Sequence, residues 1–350
     1  MSLDTIDVRA DEHFDEARLA AYLSDKLPGA DQPLVVRQFG GGAANLTYLL
    51  SYGGREYVLR RPPLGPLAPS AHDMRREFKV LSVLHKAYLL APQAFLHCAD
   101  PSVIGAEFIV MERRHGLVVR RALPEAYADI PNAARQMSLA LVDALAALHA
   151  VDYESLGLGD LGRPVGFVER QIEGWHQRWQ AAKTEDADAP EMEAVYAWLK
   201  ANVPAPGKFA LVHNDYKLDN AMLASDDPGR IVAIFDWDMA TLGDPLADLG
   251  ALLAYWSEPS DPADLQRLAM MPTGPLGFPA RAELVARYAE CSGRSVEHVN
   301  FYQALGLFRV VVIIAQIYIR FVRGQTHDQR FAAFGAALRP MARAALALID

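Results

Sequence analysis

The sequence predicts a two-lobed α+β fold, with a small β-rich N-terminal lobe over residues 1–112 and a larger, mainly helical C-terminal lobe over residues 113–350. Three observations support this class. β-type apolar runs and a hairpin signal concentrate in the first third of the chain, helical periodicity dominates beyond residue 130, and short strands flank a polar motif between them. A chain of this length can build two cores.

In the N-terminal lobe, apolar and β-branched runs predict four strands, and Gly53–Gly54 marks a hairpin between the second and third of them. Ser70 followed by Asp73 resembles a capping box that opens a helix over 71–88. A short helix is expected over 15–25. The predicted strands are 34–39, 46–52, 56–61 and 107–112.

In the C-terminal lobe, residues 133–150 are apolar on most faces and predict a central buried helix. The apolar run 304–319 is interrupted by Arg309 and Gln316 and is short for a membrane span, so it too predicts a buried helix. Further helices are expected at 166–183, 190–201, 246–257, 261–269, 279–292, 296–322 and 328–348. Short strands are expected at 209–212, 221–224 and 230–236.

Charge and cysteine content restrict the functional classes. A net charge of −9 and a pI near 5.6 argue against a nucleic-acid or anionic-membrane binder. The two cysteines have no metal-type spacing, and the acidic N-terminus lacks the apolar segment of a signal peptide. We therefore expect a cytoplasmic protein that acts on a small molecule, as a monomer or a homodimer.

The stretch "LVHNDYKLDN" (211–220) places several ionisable groups between two apolar runs. A solvated turn, a metal site or a phosphoryl-transfer loop would each produce this pattern. An Asp and an Asn five residues apart, here Asp215 and Asn220, can address an acceptor hydroxyl and a metal ion, and Lys217 can reach a phosphate. The flanking apolar runs favour the functional interpretation.

A second acidic motif, "IVAIFDWDMATLGDPLADLG", begins sixteen residues after Asn220 with an apolar run that ends in Asp236 and Asp238. Carboxylates at a strand end, next to the strand that follows Asn220, are typical ligands of a hard cation bound with phosphates. Asp248 lies among apolar neighbours, and we expect it to accept hydrogen bonds from main-chain amides of the 211–220 loop.

A glycine-rich segment and an Arg–Glu pair belong to the N-terminal lobe. "FGGGAANLTYLL" puts glycines between two strands, where main-chain amides can approach phosphates. Glu77 lies on an apolar helical face and needs a partner, for which Arg60 at the end of "EYVLR" is the best candidate. Kinases use such a strand cation, usually Lys, to hold phosphates.

Two weaker predictions concern ligand recognition. "EFIVMERRHG" is typical of a hinge whose main chain around Met111–Arg113 meets an adenine edge, or of an edge strand followed by a turn. Arg309 and Arg320 share one face of the helix 296–322. They form buried structural pairs with carboxylates, or they face the acceptor cleft and select an anionic substrate.

In this order along residues 34–255, these motifs resemble the aminoglycoside phosphotransferase/choline kinase-like family, which has the protein-kinase-like fold. Within it, "YVLRRPPLG", "AHDMRREFKVL" and "GDPLADLG" are most similar to the kinase-like domain that precedes some acyl-CoA dehydrogenases.

The resemblance implies Mg²⁺- and ATP-dependent phosphorylation of a small-molecule hydroxyl, with a hydroxyacyl-CoA or another anionic hydroxy compound as acceptor. It assigns catalysis to Asp215 and Lys217. A pseudokinase with a regulatory role, suggested by arginine at position 60, and a metal-dependent phosphohydrolase using Asp236 and Asp238 remain the alternatives. For a kinase, the resemblance implies that the nucleotide is bound by Gly41, Gly42, Asn45, Arg60, Glu77, Met111 and Arg113. It implies that the metal ligands are Asn220, Asp236 and Asp238.

Overall fold

The computed structural model describes residues 4–40, 45–63, 73–184, 187–274, 277–326 and 328–349. The chain divides into two compact units, Met1–His115 with Val232–Ala240, and Gly116–Ile231 with Thr241–Asp350. The predicted mixed helix-and-sheet class is confirmed. The segment 232–240 was predicted with the second lobe but belongs to the first unit, where the main-chain N–H of Ile234 donates to the carbonyl of Leu90 at 2.8 Å.

The first unit is built on a six-stranded antiparallel sheet with strand order β1-β2-β3-β4-β6-β5. Its strands are β1 (Thr5–Ile6), β2 (Leu34–Phe39), β3 (Leu46–Tyr52), β4 (Arg55–Arg61), β5 (Ala94–Cys98) and β6 (Phe108–Glu112). Strand β5 was not predicted. It pairs with β6 and makes β6 an interior strand, so the edge-strand interpretation of this segment is wrong.

Two helices accompany this sheet, α1 (Glu16–Leu23) and α2 (Met74–Leu84). Helix α2 is shorter than the predicted 71–88 because its N-cap is Asp73, whose side chain accepts a 2.9 Å hydrogen bond from the main-chain N–H of Arg76. The predicted cap Ser70 lies outside the described residues. The predicted buried face of this helix is confirmed for Glu77 and Leu81.

The second unit contains most of the helices. They are α3 (Ala133–His149), α4 (Phe167–Ala182), α5 (Glu191–Ala201), α6 (Leu246–Tyr255), α7 (Ala263–Arg267), α8 (Arg281–Ser292), α9 (Val299–Val322) and α10 (Phe334–Leu346). Its strands are β7 (Leu117–Val118), β8 (Ala210–Val212), β9 (Ala221–Ala224), β11 (Thr241–Gly243) and most of β10 (Asp227–Ile234), whose residues 232–234 belong to the first unit. Strand β9 lies between β10 and β7, and β11 pairs with β8.

Helix α9 is the centre of the second unit. By length and composition alone it could cross a membrane, but 61% of that window is buried, and it packs on α4, α5, α6 and α10, as predicted for a core helix. Its contact with α6 depends on glycine, since a Cβ on Gly250 would lie 2.3 Å from the main chain of Tyr302. This close approach brings the polar residues of both helices beside the 211–220 loop.

Candidate active site

Arg60 is the centre of a charged cluster in the first unit. Its Nη1 lies 2.5 Å from Oε1 of Glu77, its Nη2 donates to Oδ1 of Asp236, and the same Nη2 is 4.0 Å from Oδ2 of Asp238. Arg60 is 8% exposed and Glu77 only 1%. Burial raises the pKa of Glu77 to about 8, although the guanidinium of Arg60 opposes this shift. Three acidic side chains thus converge on one guanidinium group.

The local backbone aims Asp236 at Arg60. Asp236 has a φ of +70°, in the left-handed region that residues other than glycine seldom adopt. The neighbouring Trp237 is fully buried, donates from Nε1 to the carbonyl of Ile234 at 2.8 Å, and packs edge-on against Tyr88. Such conformations persist where surrounding contacts enforce them, and they concentrate at functional sites.

The other predicted nucleotide-binding residues surround Arg60 along the sheet. Arg60 pairs with Thr47 on β3 and Ile109 on β6, so Asn45 and Met111 lie on opposite sides of it. Asn45 and Met111 are both buried. Gly41 and Gly42 lie outside the described residues.

Arg113 follows the end of β6, and its side chain contacts residues of the same unit. The guanidinium lies 2.5 Å from Asp4 and over the ring of Phe39, with Cζ 4.8 Å from the ring centroid. Its side chain therefore belongs to the protein's own packing, and any role in recognising a nucleotide would fall to its main chain.

Asp215, in the second unit, is held from several sides. Its Oδ2 accepts hydrogen bonds from Nζ of Lys217 at 2.9 Å and from Nδ2 of Asn220 at 3.1 Å. Nδ2 of Asn220 also donates to the main-chain carbonyl of Asp215. Because Nδ2 is the donor in both bonds, Oδ1 is the acceptor atom of the Asn220 side chain. Nη2 of Arg309 lies 3.7 Å from Oδ1 of Asp215, and Nη1 lies 3.5 Å from Oδ1 of Asn214.

Lys217 is charged at neutral pH. Burial lowers the pKa of Lys217, but Asp215, Tyr255 and Asp219 together raise it more, so the net pKa lies above its ordinary value. Its Nζ is 5.4 Å from the ring centroid of Tyr255, the last residue of α6. Lys217 is therefore a fixed positive charge next to Asp215.

Asp248 on α6 anchors the loop that carries Asp215. Its carboxylate accepts hydrogen bonds, both 2.7 Å, from the main-chain N–H groups of His213 and Asn214, so its predicted role is confirmed. Nε2 of His149 lies 3.2 Å away. Burial raises the pKa of Asp248, but His149 and His213 lower it more, and the net pKa is below its ordinary value. His213 is fully buried, and its Nδ1 lies 3.3 Å from the main-chain N of Asp215.

The structure separates the two predicted substrate residues. Arg309 is buried beside Asp215, with its Cζ 5.2 Å from the ring centroid of Trp175 on α4. Arg320 lies in the exposed last turn of α9. The two arginines share a helical face, but the eleven residues between their positions separate them by about 16 Å along the helix axis.

Trp175, Arg178 and Tyr255 were not identified from the sequence. The spacing of Trp175 and Arg178 in "GWHQRW" places them on one helical face, but this pattern is typical of many surface helices. Tyr255 also lines a cavity of about 200 Å³ between α6, α7, α9 and α10, with mainly apolar walls that include Trp256, Leu307 and Met341.

The predicted metal ligands have suitable chemistry. Asp236 and Asp238 converge on one nitrogen of Arg60, and their carboxylate oxygens suit a hard cation that keeps waters and phosphate oxygens as its other ligands. In the described part of the chain, no three His, Cys, Asp or Glu side chains form a complete metal cluster. The residues therefore fit Mg²⁺ bound together with phosphates.

A β-rich unit with a buried strand-cation–helix-Glu pair, and a helical unit with an Asp-x-x-x-x-Asn loop, define the class of kinase-like phosphotransferases. Residues 35–284 match the family described as Phosphotransferase enzyme family. The chain belongs to this family.

Known relatives agree with this assignment. The chain is 35% identical over 353 residues to Acyl-CoA dehydrogenase family member 11 of Gallus gallus, covering 98% of this chain and 44% of that protein. It thus spans less than half the length of this relative. A Ralstonia eutropha JMP134 protein described as an aminoglycoside phosphotransferase is 30% identical, with a TM-score of 0.79 over 96% of this chain and 98% of that one.

A thermostable mutant of aminoglycoside phosphotransferase APH(4)-Ia, crystallised with AMP-PNP and hygromycin B, shares the fold at 17% identity. The TM-score is 0.59 over 94% of this chain and 98% of that chain. The kinase-like fold predicted from the sequence is confirmed by these similarities.

Proposed function

We propose that this protein transfers the γ-phosphoryl group of ATP, bound with Mg²⁺, to a hydroxyl group of a small molecule. The observation that supports this most directly is the Asp215 carboxylate, held by Lys217 and Asn220 in a loop that Asp248 anchors. A fixed carboxylate of this kind can orient an acceptor hydroxyl and accept its proton.

The remaining residues bind and orient the phosphates in this proposal. Arg60, aligned by Glu77, binds them bidentately, as guanidinium groups do. Lys217 neutralises charge that develops on the transferred phosphoryl group. Asn220, Asp236 and Asp238 would hold Mg²⁺, which withdraws charge from the phosphate oxygens when it is bound.

The first sheet supports a position for the rest of the nucleotide. Main-chain groups around Met111–Arg113 would meet the adenine edge, while Asn45 and the glycines Gly41 and Gly42 would approach the phosphates. Asn45 and Met111 lie on opposite sides of Arg60, as an elongated ligand requires. The related fold of APH(4)-Ia, which was crystallised with AMP-PNP, supports a nucleotide in this role.

For the acceptor we propose a hydroxyacyl-CoA or another anionic hydroxy compound. Arg309 beside Asp215 favours a negative charge near the reacting hydroxyl. The mainly apolar cavity next to Tyr255 favours an acyl or aromatic body. The relatives that match this chain over 44% of their length carry acyl-CoA dehydrogenase names, which supports an acyl-CoA context. We place this reaction in the cytoplasm, without nucleic-acid or membrane partners.

A nucleotide-binding pseudokinase is the second candidate. The observation that favours it is Arg60, which replaces the usual lysine and here binds Glu77 and Asp236 at once. Regulation by nucleotide would need Arg60 and Asp236 but not Asp215. The two candidates therefore differ in what they require of Asp215.

A screen for acceptor-dependent ADP release across hydroxyacyl-CoAs, hydroxy acids, amino alcohols and aminoglycosides tests the proposal. We expect one class to turn over, and Asp215→Ala to reduce its rate by about 10²–10⁴-fold with nucleotide binding retained. Asp226→Ala, at an exposed aspartate of the same unit, is the matched control. Nucleotide binding without any turnover would favour the pseudokinase, and phosphate release from phosphoesters without ATP would favour a phosphohydrolase.

A further inference from the structure

Two guanidinium groups lie against one indole ring in the second unit. Cζ of Arg178 is 4.6 Å from the ring centroid of Trp175, and Cζ of Arg309 is 5.2 Å from it. Trp175 is buried, and its Nε1 donates to Gln171 at 3.1 Å. The two guanidinium carbons are thus no further apart than the sum of these two distances.

Helix α4 positions Arg178 for this contact. Arg178 lies three residues after Trp175, on the same helical face, and its side chain runs back over Gly174. A Cβ on Gly174 would be 3.7 Å from Nη1 of Arg178, so the guanidinium lies against main chain on one side and the indole on another. This packing pre-orients a cation that remains exposed to solvent.

Two positive charges meet at one indole ring, those of Arg178 and Arg309. Two of the contacts of Arg309, with Asp215 and Asn214 at 3.7 and 3.5 Å, are longer than ordinary charge-assisted hydrogen bonds. Within the described ranges, no carboxylate forms an ion pair with Arg178. Partial desolvation against the indole and the positive charge of Arg309 both lower the pKa of Arg178. An anion would relieve this repulsion.

We propose that Arg178, together with Trp175 and Arg309, binds an anionic oxygen group of the acceptor, a phosphate or a carboxylate, and so selects the substrate. The part of this inference that concerns the hydroxyl rests on the proposed function of Asp215. Arg309 contacts both Asp215 and Trp175, so an anion bound there directs the rest of the acceptor toward the catalytic carboxylate. Guanidinium groups bind both anions through two parallel hydrogen bonds.

Calorimetric titration tests the binding step without catalysis. Coenzyme A supplies phosphates and 3-hydroxybutyrate supplies a carboxylate, each titrated into the full chain with AMP-PNP and Mg²⁺ in excess. We expect one of them to bind, Arg178→Ala to weaken that binding about 10- to 100-fold, and Arg178→Lys to retain part of it. The control is Arg330→Ala, at an exposed arginine paired only locally with Asp328.

The probe that binds identifies the source of the anion. Binding of neither probe to the wild-type protein, or equal binding by wild type and Arg178→Ala, would overturn the inference. Thermal melting checks that the variants are folded. If Arg178→Ala melts at a lower temperature than the wild type, the titration is repeated with Arg178→Glu, which keeps a long side chain over Gly174. We expect Arg178→Glu to show the same loss of probe binding.

Kinetics then connect the site to turnover. With the acceptor found by ADP release, Arg178→Ala should raise its KM about 10- to 100-fold and leave the KM of ATP unchanged. A neutral analogue, such as the matching hydroxyacyl-pantetheine, should show the same KM with both proteins. Turnover with an unchanged acceptor KM in Arg178→Ala contradicts the inference alone. Absence of turnover with every acceptor contradicts the proposed function, and calorimetry still decides the anion site.

Discussion

The Arg60 cluster and the Asp215 loop have opposite charge balances. In the first unit, one guanidinium faces three acidic side chains, those of Glu77, Asp236 and Asp238. In the second unit, Asp215 is surrounded by cations. Lys217 and Arg309 lie 2.9 and 3.7 Å from its carboxylate, and Arg178 packs on the Trp175 ring that Arg309 also contacts.

This difference indicates which ligands each region suits. The carboxylate oxygens of Asp236 and Asp238 are of the kind that binds a hard cation. A group of cations around one carboxylate needs anions, and transferred phosphate and an anionic acceptor supply them. In the proposed kinase reaction, the first region would hold Mg²⁺ and the second would hold the anions.

Removing a carboxylate from the first region should have the largest effect. We expect Asp236→Asn to lower the rate of ADP release by about 100-fold or more, because the amide keeps the shape but loses the charge that holds a hard cation. Turnover and AMP-PNP binding measured against Mg²⁺ concentration check this. Asp238→Asn is the matched variant, and its effect should be smaller because Asp238 is further from Arg60. Wild-type Mg²⁺ dependence in Asp236→Asn would contradict the comparison.

Substitution of Asp248 tests whether the second region depends on this buried carboxylate, which anchors the 211–220 loop. Asp248→Asn should lower the free energy of unfolding by about 2–4 kcal/mol, because two main-chain N–H groups lose a charged acceptor. Urea denaturation measures it. Asp143→Asn, at a half-exposed ion pair with Arg287, should change the same quantity by less than about 1 kcal/mol.

The pH dependence of this variant follows from the lowered pKa of Asp248. A lowered folded-state pKa stabilises the fold above the ordinary pKa of aspartate, about 3.9, and this contribution is lost as the pH falls below it. The stability difference between wild type and Asp248→Asn should therefore shrink below about pH 4. A difference that stays constant on acidification would contradict the assigned charge.

Arg60→Lys should have the smallest effect of these substitutions. It tests whether arginine at position 60 indicates a pseudokinase. An ammonium group cannot hold Glu77 and Asp236 with the fixed geometry of a guanidinium, so we expect a loss of about 1 kcal/mol in stability. The KM of ATP should change by less than about tenfold, since lysine is the usual residue in kinases.

Arg61→Lys is the control for that experiment. Arg61 is equally buried but contacts Tyr48 and main-chain carbonyls instead of carboxylates. It should lose stability without any change in the KM of ATP. An effect on the KM of ATP from Arg61 but not from Arg60 would reverse our assignment of the phosphate-binding cation.

Local patterns predicted most elements well. Strands β2 and β3 begin and end as predicted, because alternating apolar residues and flanking glycines define them within the segment itself. Of the strands that were missed, β1, β7 and β11 have only two or three residues, and β5, as long as β6, follows no clear alternation. They form because a partner strand offers free main-chain groups, which is not a property of their own residues.

The sequence by itself determined the class of the fold, the order of the motifs and the chemistry available at Asp215, Asn220 and Asp236, because these depend on residue type and spacing along the chain. Tertiary structure decided which charges meet. It assigned the segment 232–240 to the first unit, brought Arg309 to Asp215 while leaving Arg320 exposed about 16 Å along the same helix, and placed Trp175 against two arginines. Such contacts join residues distant along the chain, and helix packing, which no local pattern encodes, fixes their distances.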